Sequence, residues 1–105
     1  MNSTFPSDSS CTRLLLQRER AEVLRIAQRH LASNIRVFGS VARGDDGPDS
    51  DIDLLVDFAP EASLLDLIAM KQELEVLLQR QTDVVTAASV SPYFRQRIIA
   101  EARPL

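Results

Sequence analysis

Apolar residues recur at helical spacing in three segments of the chain, over residues 12–32, 63–80 and 91–102. In each segment they lie three or four positions apart, with charged and polar residues between them, which is typical of amphipathic helices. Ser63 and Ser91 stand at the start of the second and third segments, where a serine side chain can cap the first helical turn. The pattern therefore predicts three helices.

Short apolar and β-branched segments alternate with these helices and predict three strands, over residues 35–38, 51–58 and 82–87. The first strand follows the pair Ser33-Asn34, a suitable helix stop because asparagine tolerates the left-handed conformation. Residues 41–50 hold two glycines, one proline and three aspartates, so we expect them to be mainly loop.

The order of these elements indicates an α+β fold. The first two strands can pair through the glycine-rich loop, and the third follows a helical crossover, which makes it parallel to the second if the two are neighbours. We expect a small mixed sheet of about three to four strands, with helices covering one face. Alternation along the second strand places Asp51, Asp53, Leu55 and Asp57 on the other face, which we expect to be open to a substrate.

Length and composition favour one small domain. The chain has 105 residues, of which 45% are hydrophobic and 26% charged, as in ordinary globular proteins. We expect a flexible tail over residues 1–10 and a single domain over residues 11–105. No apolar segment approaches the roughly 18 residues of a membrane span, and the N-terminus lacks the features of a secretory signal. The one cysteine, Cys11, cannot form an internal disulfide, so a reducing, cytoplasmic location is expected.

Charge excludes one class of partner and draws attention to one segment. The net charge is −3, so the basic surface of nucleic-acid-binding proteins is absent and direct nucleic-acid binding is not expected.

Six aspartates and no lysine or arginine lie within residues 45–57. Asp51 and Asp53, roughly 6.5–7 Å apart on one face of a strand, repel each other unless cations lie nearby. Carboxylate oxygens suit Mg²⁺, which usually binds one or two carboxylates and substrate phosphates.

Four further positions complete a candidate site. Asp83 opens the third strand, and if that strand adjoins the second, three carboxylates could hold two metal ions about 3.5–4 Å apart, as in phosphoryl transfer. Gly39 allows a close approach of the backbone to a phosphate, and the Ser40 hydroxyl can donate a hydrogen bond to it. Arg43 could clamp a triphosphate, although a solvated surface arginine explains it nearly as well.

Each feature alone has a plain structural explanation. An Asp-x-Asp pair in a surface strand is usually only solvated, and a Gly-Ser pair usually marks a turn. The combined spacing GS-x10-DxD, by contrast, is expected by chance in on the order of one in a thousand chains of this length. It also falls in a strand–loop–strand context, so the combination favours a functional site.

The stretch FGSVARGDDGPDSDIDLLVDF resembles the signature of the minimal nucleotidyltransferases, a branch of the DNA polymerase beta-like nucleotidyltransferase superfamily. The order of elements resembles that family over almost the whole chain. The resemblance implies Mg²⁺-dependent transfer of AMP from ATP. It implies that Asp51, Asp53 and Asp83 bind the metal ions and that Gly39 and Ser40 hold the β- and γ-phosphates.

The resemblance also implies a partner. Members of the family are commonly antitoxins paired with a small helical toxin of the HEPN type, an RNase, and they adenylylate a tyrosine of that toxin. Two alternatives stay open: neutralisation of the toxin by binding alone, and nucleotidyl transfer to a small molecule such as an aminoglycoside. Replacing Asp51 and Asp53 with alanine separates the first alternative from catalysis, since binding alone would survive the change.

Overall fold

The computed structural model describes residues 8–45, 47 and 50–105. Its elements in chain order are α1 (Asp8–Arg18), α2 (Arg20–Arg29), β1 (Ala32–Phe38), α3 (Gly39–Arg43), β2 (Ile52–Phe58), α4 (Leu64–Leu78), β3 (Thr82–Val85), a 3₁₀ turn (Ala87–Ser89), α5 (Pro92–Glu101) and β4 (Arg103–Pro104). The predicted α+β class is confirmed. Residues 8–10 of the predicted tail belong to α1, and residues 1–7 lie outside the described residues.

The sheet has four strands in the order β3-β2-β1-β4. The strands β1 and β2 pair antiparallel, β2 and β3 pair parallel, and the two-residue β4 pairs antiparallel with β1. Both predicted pairings are confirmed, and the mixed sheet follows from them. The helix α4 carries the chain back between β2 and β3, which allows the two strands to run parallel.

The core lies between one face of the sheet and the helices α1, α2 and α4. Alternate residues of β2 supply its centre, where Ile52, Leu54 and Val56 are fully buried. Met70 and Leu74 of α4 pack against them and are also fully buried. This burial fixes the register of β2, because a shift by one residue would turn the apolar side chains to the opposite face.

The first predicted helix is in fact two helices, and the predicted stop at Ser33-Asn34 is wrong. A break at Glu19 separates α1 from α2, and α2 ends at Arg29. The left-handed residue that follows α2 is Leu31, with φ 64°. Residues 32–34 belong to β1 because Ala32 and Ser33 already pair with Phe58 and Asp57 of β2.

Asn34 does adopt a left-handed conformation, with φ 52°, but inside a strand. The register of β1 against β2 shifts at this point, between Ser33 and Arg36. The extra residue of such a bulge lets Ala32 and Ile35, three positions apart, both face the core. Asn34 thus adopts the positive φ that asparagine tolerates, but it does so in a β-bulge and not at the end of a helix.

Residues 39–43 form the short helix α3, where we predicted mainly loop from residue 41. Val41 is buried and anchors this turn against β1 and β2, which explains why a helical turn forms in a glycine-rich segment. Gly44 ends it in the left-handed conformation, with φ 80°. Of the predicted loop that follows, residues 46, 48 and 49 lie outside the described residues.

The second face of the sheet is less open than expected. Leu55 lies on this face, yet it is fully buried. The 3₁₀ turn contacts β2, and α5 contacts α3 and β1, so these late elements cover part of the face that carries the aspartates. In the part of the chain that the structure describes, no helix is both long enough and apolar enough to cross a membrane.

Candidate active site

The strand β2 presents two aspartates to the second face of the sheet. Ile52 is fully buried in the core, so its neighbours Asp51 and Asp53 point away from the core. Asp51 directly precedes the strand and is exposed, whereas Asp53 lies within it and is half-buried. The same alternation that buries the core therefore places both carboxylates on the side of the molecule where α3 and α5 lie.

The parallel pairing of β2 and β3 brings in a third carboxylate. Asp53 and Asp83 are register partners on these two strands. Neighbouring strands lie about 4.8 Å apart, and partners in a parallel pair share a face. Asp83 is exposed, so its carboxylate is available to a bound molecule.

The negative charges act on one another most strongly at Asp53. Burial and the nearby charges of Asp83 and Asp51 raise the pKa of the Asp53 carboxyl from 3.8 to about 6. Glu101 adds to this rise, and the positive charge of Arg43 opposes it. Burial is the largest cause of this rise, and the two neighbouring carboxylates add to it.

Gly39 lies directly against this carboxylate. It adopts φ +75°, and a Cβ atom at this position would lie 2.3 Å from Asp53 Oδ2. Both the left-handed conformation and the missing side chain are therefore required here. The glycine links β1 to α3 and lets the backbone pass close to the aspartate.

A cavity of about 480 Å³ lies beside these groups. Gly39, Ser40 and Arg43 line it from α3, and Asp51 and Asp53 line it from the start of β2. The two halves of the GS-x10-DxD motif thus meet across one cavity. Asp83 is not among the residues that line it.

The far wall of the cavity comes from α5, which sequence reasoning did not connect with the site. Phe94, Arg97, Ile98 and Glu101 line the cavity from this helix. Their spacing of three, one and three positions places them on one helical face. This spacing was the available signal, but the sequence alone does not show which surface the face approaches.

Arg43 and Gly39 both contact a carboxylate of that wall. The Arg43 Nη1 atom lies 3.1 Å from Glu101 Oε1 and 3.2 Å from Glu101 Oε2. The Gly39 backbone N–H donates to Glu101 Oε1 at 2.7 Å. Hydrogen bonds to Asp45 and Glu101 raise the pKa of Arg43, which stays positively charged. Two of the predicted phosphate-binding groups are therefore engaged by a side chain of the protein.

The segment before Asp51 is held by Arg80, which follows α4. The Arg80 Nε atom donates to the Ser50 carbonyl at 3.1 Å, and Nη2 reaches the Gly47 carbonyl at 3.5 Å. The Nη1 atom donates to Thr12 Oγ1 at 3.1 Å. A single guanidinium thus ties the loop to α1, which helps to hold Asp51 in place.

The start of β3 is held in a similar way. Glu75 Oε2 accepts a hydrogen bond from the Thr82 backbone N–H at 3.1 Å and lies 2.6 Å from Lys71 Nζ. These contacts fix the residue next to Asp83. Sequence reasoning missed both this network and Arg80; the spacing of Lys71 and Glu75 by four was the one visible signal.

The donor chemistry of the site fits Mg²⁺. Asp51, Asp53 and Asp83 offer only carboxylate oxygens, which are the ligands that this ion prefers. Burial and the charges of Asp83 and Asp51 disfavour the ionised form of Asp53, and a bound divalent cation would favour it. Among the described residues, no group of three or more histidine, cysteine, aspartate or glutamate side chains is already arranged to hold a metal ion.

Sequence comparison assigns most of the chain to one family model. The model of the nucleotidyltransferase domain matches residues 20–105. The chain is 41% identical, over 81 residues, to a Methanocaldococcus jannaschii protein provisionally named a protein adenylyltransferase, covering 77% of this chain and 87% of that protein. It is 37% identical, over 76 residues, to protein adenylyltransferase MntA of Thermococcus cleftensis, covering 72% and 77%.

Solved structures share the fold. A structure provisionally named a minimal nucleotidyltransferase matches with a TM-score of 0.79 and 40% identity, over 99% of this chain and 100% of that chain. A toxin–antitoxin crystal structure with AMP-PNP matches at 0.68 and 22% identity, over 80% and 69%. The complex of a tri-AMPylated Shewanella oneidensis HEPN toxin with an MNT antitoxin matches at 0.63 and 20% identity, over 84% and 69%. The last two likenesses show the fold alone.

Proposed function

We propose that this chain, which belongs to the nucleotidyltransferase domain family, transfers AMP from ATP to a hydroxyl group of a partner protein. Family membership makes it a nucleotidyltransferase, and its Thermococcus relative is named a protein adenylyltransferase. One observation carries the proposal. Gly39 and Ser40 line the same cavity as Asp51 and Asp53, and Asp83 pairs with Asp53 in the adjacent strand.

In this proposal the three aspartates hold magnesium. Asp51, Asp53 and Asp83 would bind one or two Mg²⁺ ions through their carboxylate oxygens. Bound there, the metal would make the acceptor hydroxyl more acidic and neutralise charge on the leaving pyrophosphate. Asp53 must be ionised to bind a cation, and its pKa of about 6 makes this ionisation sensitive to pH just below neutrality.

The transfer itself needs a proton acceptor and a place for the phosphates. Asp83, exposed on β3, would accept the proton of the attacking hydroxyl. The hydroxyl oxygen forms a bond to the α-phosphorus of ATP, and the bond from that phosphorus to pyrophosphate breaks. Gly39 and Ser40 would hold the β- and γ-phosphates, with Arg43 as a bidentate contact.

We further propose that the acceptor is a tyrosine of a HEPN-type RNase toxin and that the chain acts as its antitoxin. The similar fold of an MNT antitoxin in complex with a tri-AMPylated HEPN toxin supports this choice. The surface next to the cavity also supports a protein acceptor. Tyr93 is 86% exposed and Phe94, which lines the cavity, is 48% exposed. Exposed aromatic side chains are common in protein interfaces.

The test is the intact mass of a HEPN-type protein encoded beside this chain, after incubation with the chain, ATP and Mg²⁺. We expect the added mass of one or more AMP groups. Asp51→Asn/Asp53→Asn should add none, whereas Asp57→Asn, a carboxylate of the same strand outside the cavity, should act like wild type. A stable complex without added mass would refute the proposed catalysis and favour neutralisation by binding alone. Modification of a small molecule without the partner would refute the proposed acceptor.

A further inference from the structure

Glu101, at the end of α5, makes an unusual set of contacts for a surface carboxylate. It accepts a hydrogen bond from the Gly39 N–H at 2.7 Å and pairs through both oxygens with Arg43 at 3.1 and 3.2 Å. Its side chain is only 18% exposed. The contacts join residues 58 and 62 positions apart in the sequence, so they bring the last helix onto the cavity.

These contacts are chemically those of a bound phosphate. The backbone N–H of a glycine and the N–H groups of a guanidinium nitrogen, here Arg43 Nη1, are donors that also suit a phosphate oxygen. In this structure the same donors hold a carboxylate, which is also an oxygen anion. Glu101 and Asp53 line the same cavity, and each adds to the negative charge near the other. When a triphosphate enters the cavity, Glu101 already occupies the donors of Gly39 and Arg43, and the carboxylates of Glu101 and Asp53 repel its negative charge.

We propose that Glu101 occupies the place of the terminal phosphates of the nucleotide and competes with them for Gly39 and Arg43. The inference rests on the proposed function, in which these two residues contact the β- and γ-phosphates. ATP binding then requires the Glu101 carboxylate to leave, which makes Glu101 a determinant of nucleotide affinity.

The competition predicts an effect that depends on the phosphate chain. Glu101→Gln keeps the size of the side chain and removes its charge, so Arg43 Nη1 loses its ionic partner on α5 and can bind the nucleotide, while Arg43 Nε keeps its contact with Asp45. We expect ATP to bind about fivefold more tightly, the size expected for one partly exposed charged contact. AMP has no β- or γ-phosphate, so its Kd should change by less than about twofold.

The experiment measures the Kd of ATP and of AMP, with Mg²⁺ and without an acceptor, by calorimetry. Glu101→Asp retains the net charge but shortens the side chain, and it should also tighten ATP binding. Glu22→Gln is the matched control: it removes one carboxylate from α2, where Glu22 pairs with Arg25 and lies outside the cavity. Its nucleotide affinities should equal those of wild type.

The outcomes separate this inference from its alternatives. Tighter ATP binding by both Glu101 variants, with AMP unchanged, supports the competition. Weaker or unchanged ATP binding by Glu101→Gln overturns it; weaker binding would show instead that Glu101 positions Arg43. An equal decrease in the Kd of ATP and of AMP also overturns it, because such a result would come from the change in net charge and not from competition with the terminal phosphates. Failure of the folded wild-type protein to bind ATP at all would overturn the proposed function together with the inference.

Discussion

Replacing Asp53 with asparagine is expected to stabilise the protein while it abolishes AMP transfer. The pKa of Asp53 rises from 3.8 to about 6 because burial and the charges of Asp83 and Asp51 disfavour its ionised form. At about 1.4 kcal/mol for each pKa unit, that rise corresponds to about 3 kcal/mol of destabilisation at neutral pH. Solvent screens a half-exposed group, so we take about half of this value, roughly 1.5 kcal/mol. For a domain of this size the gain corresponds to about 6–12 °C in Tm.

The sign of the pH dependence follows from the same shift. Between pH 3.8 and 6 the folded protein retains a proton on Asp53 that the unfolded chain has released. The contribution of this group to stability is therefore lost as pH rises through 6. Asp53→Asn lacks the group, so its advantage over wild type should be absent near pH 4 and complete above about pH 6.5.

Urea unfolding of both proteins at a series of pH values measures this difference, since titration of the carboxyls outside this cluster cancels in the comparison. Asp57→Asn is the matched control on the same strand. Asp57 accepts hydrogen bonds from Asn34 at 3.0 Å and Arg36 at 3.2 Å, so its replacement should give no gain. An Asp53→Asn protein no more stable than wild type at pH 7 would refute the reasoning that burial and charge repulsion make the ionised form of Asp53 costly to the fold.

Two other predictions concern the backbone around the site. Gly39→Ala places a Cβ atom 2.3 Å from Asp53 Oδ2, and we expect about a 100-fold loss of AMP transfer. Gly44→Ala is the control: Gly44 also has a positive φ of +80°, but the nearest atom to an added Cβ is 3.5 Å away. This variant should lose only about 1–2 kcal/mol of stability. Equal activity losses in both would contradict the proposed close approach. Arg80→Met removes the hydrogen bonds to Ser50 and Thr12. We expect AMP transfer to be about tenfold slower and the circular dichroism spectrum to be unchanged. Arg25→Met, at the surface of α2, is the control and should have wild-type activity. Unchanged transfer by Arg80→Met would show that the loop does not need this tether.

Local rules of the sequence were enough to predict the half of the site that β2 carries. Alternation placed Asp51 and Asp53 on one face, and the crossover rule placed Asp83 beside them. Each of these inferences depends on residues within one strand or one crossover. The fold class and the two main strand pairings were predictable for the same reason.

The other wall of the site could not be predicted, because it depends on contacts between distant segments. Glu101 meets Gly39 across 62 positions, and Arg80 meets Thr12 across 68. Nothing in the local pattern of α5 shows which surface it packs on. The wrong prediction of a helix end at Asn34 has a related cause. The tolerance of asparagine for positive φ is visible in the sequence, but only the pairing of β1 with β2 shows that Asn34 lies in a bulge.

The alternation of buried apolar residues and acidic residues along β2 also bears on how such proteins evolve. Ile52 and Leu54 are fully buried and maintain the structure, whereas Asp53 between them carries a charge that burial and its neighbours disfavour. We therefore expect a gene copy that loses Asp53 to keep its shape and gain stability, so that it persists without the chemistry. In such a lineage only selection for the chemistry preserves the carboxylate, and inactive descendants with an intact surface are an expected product of gene duplication.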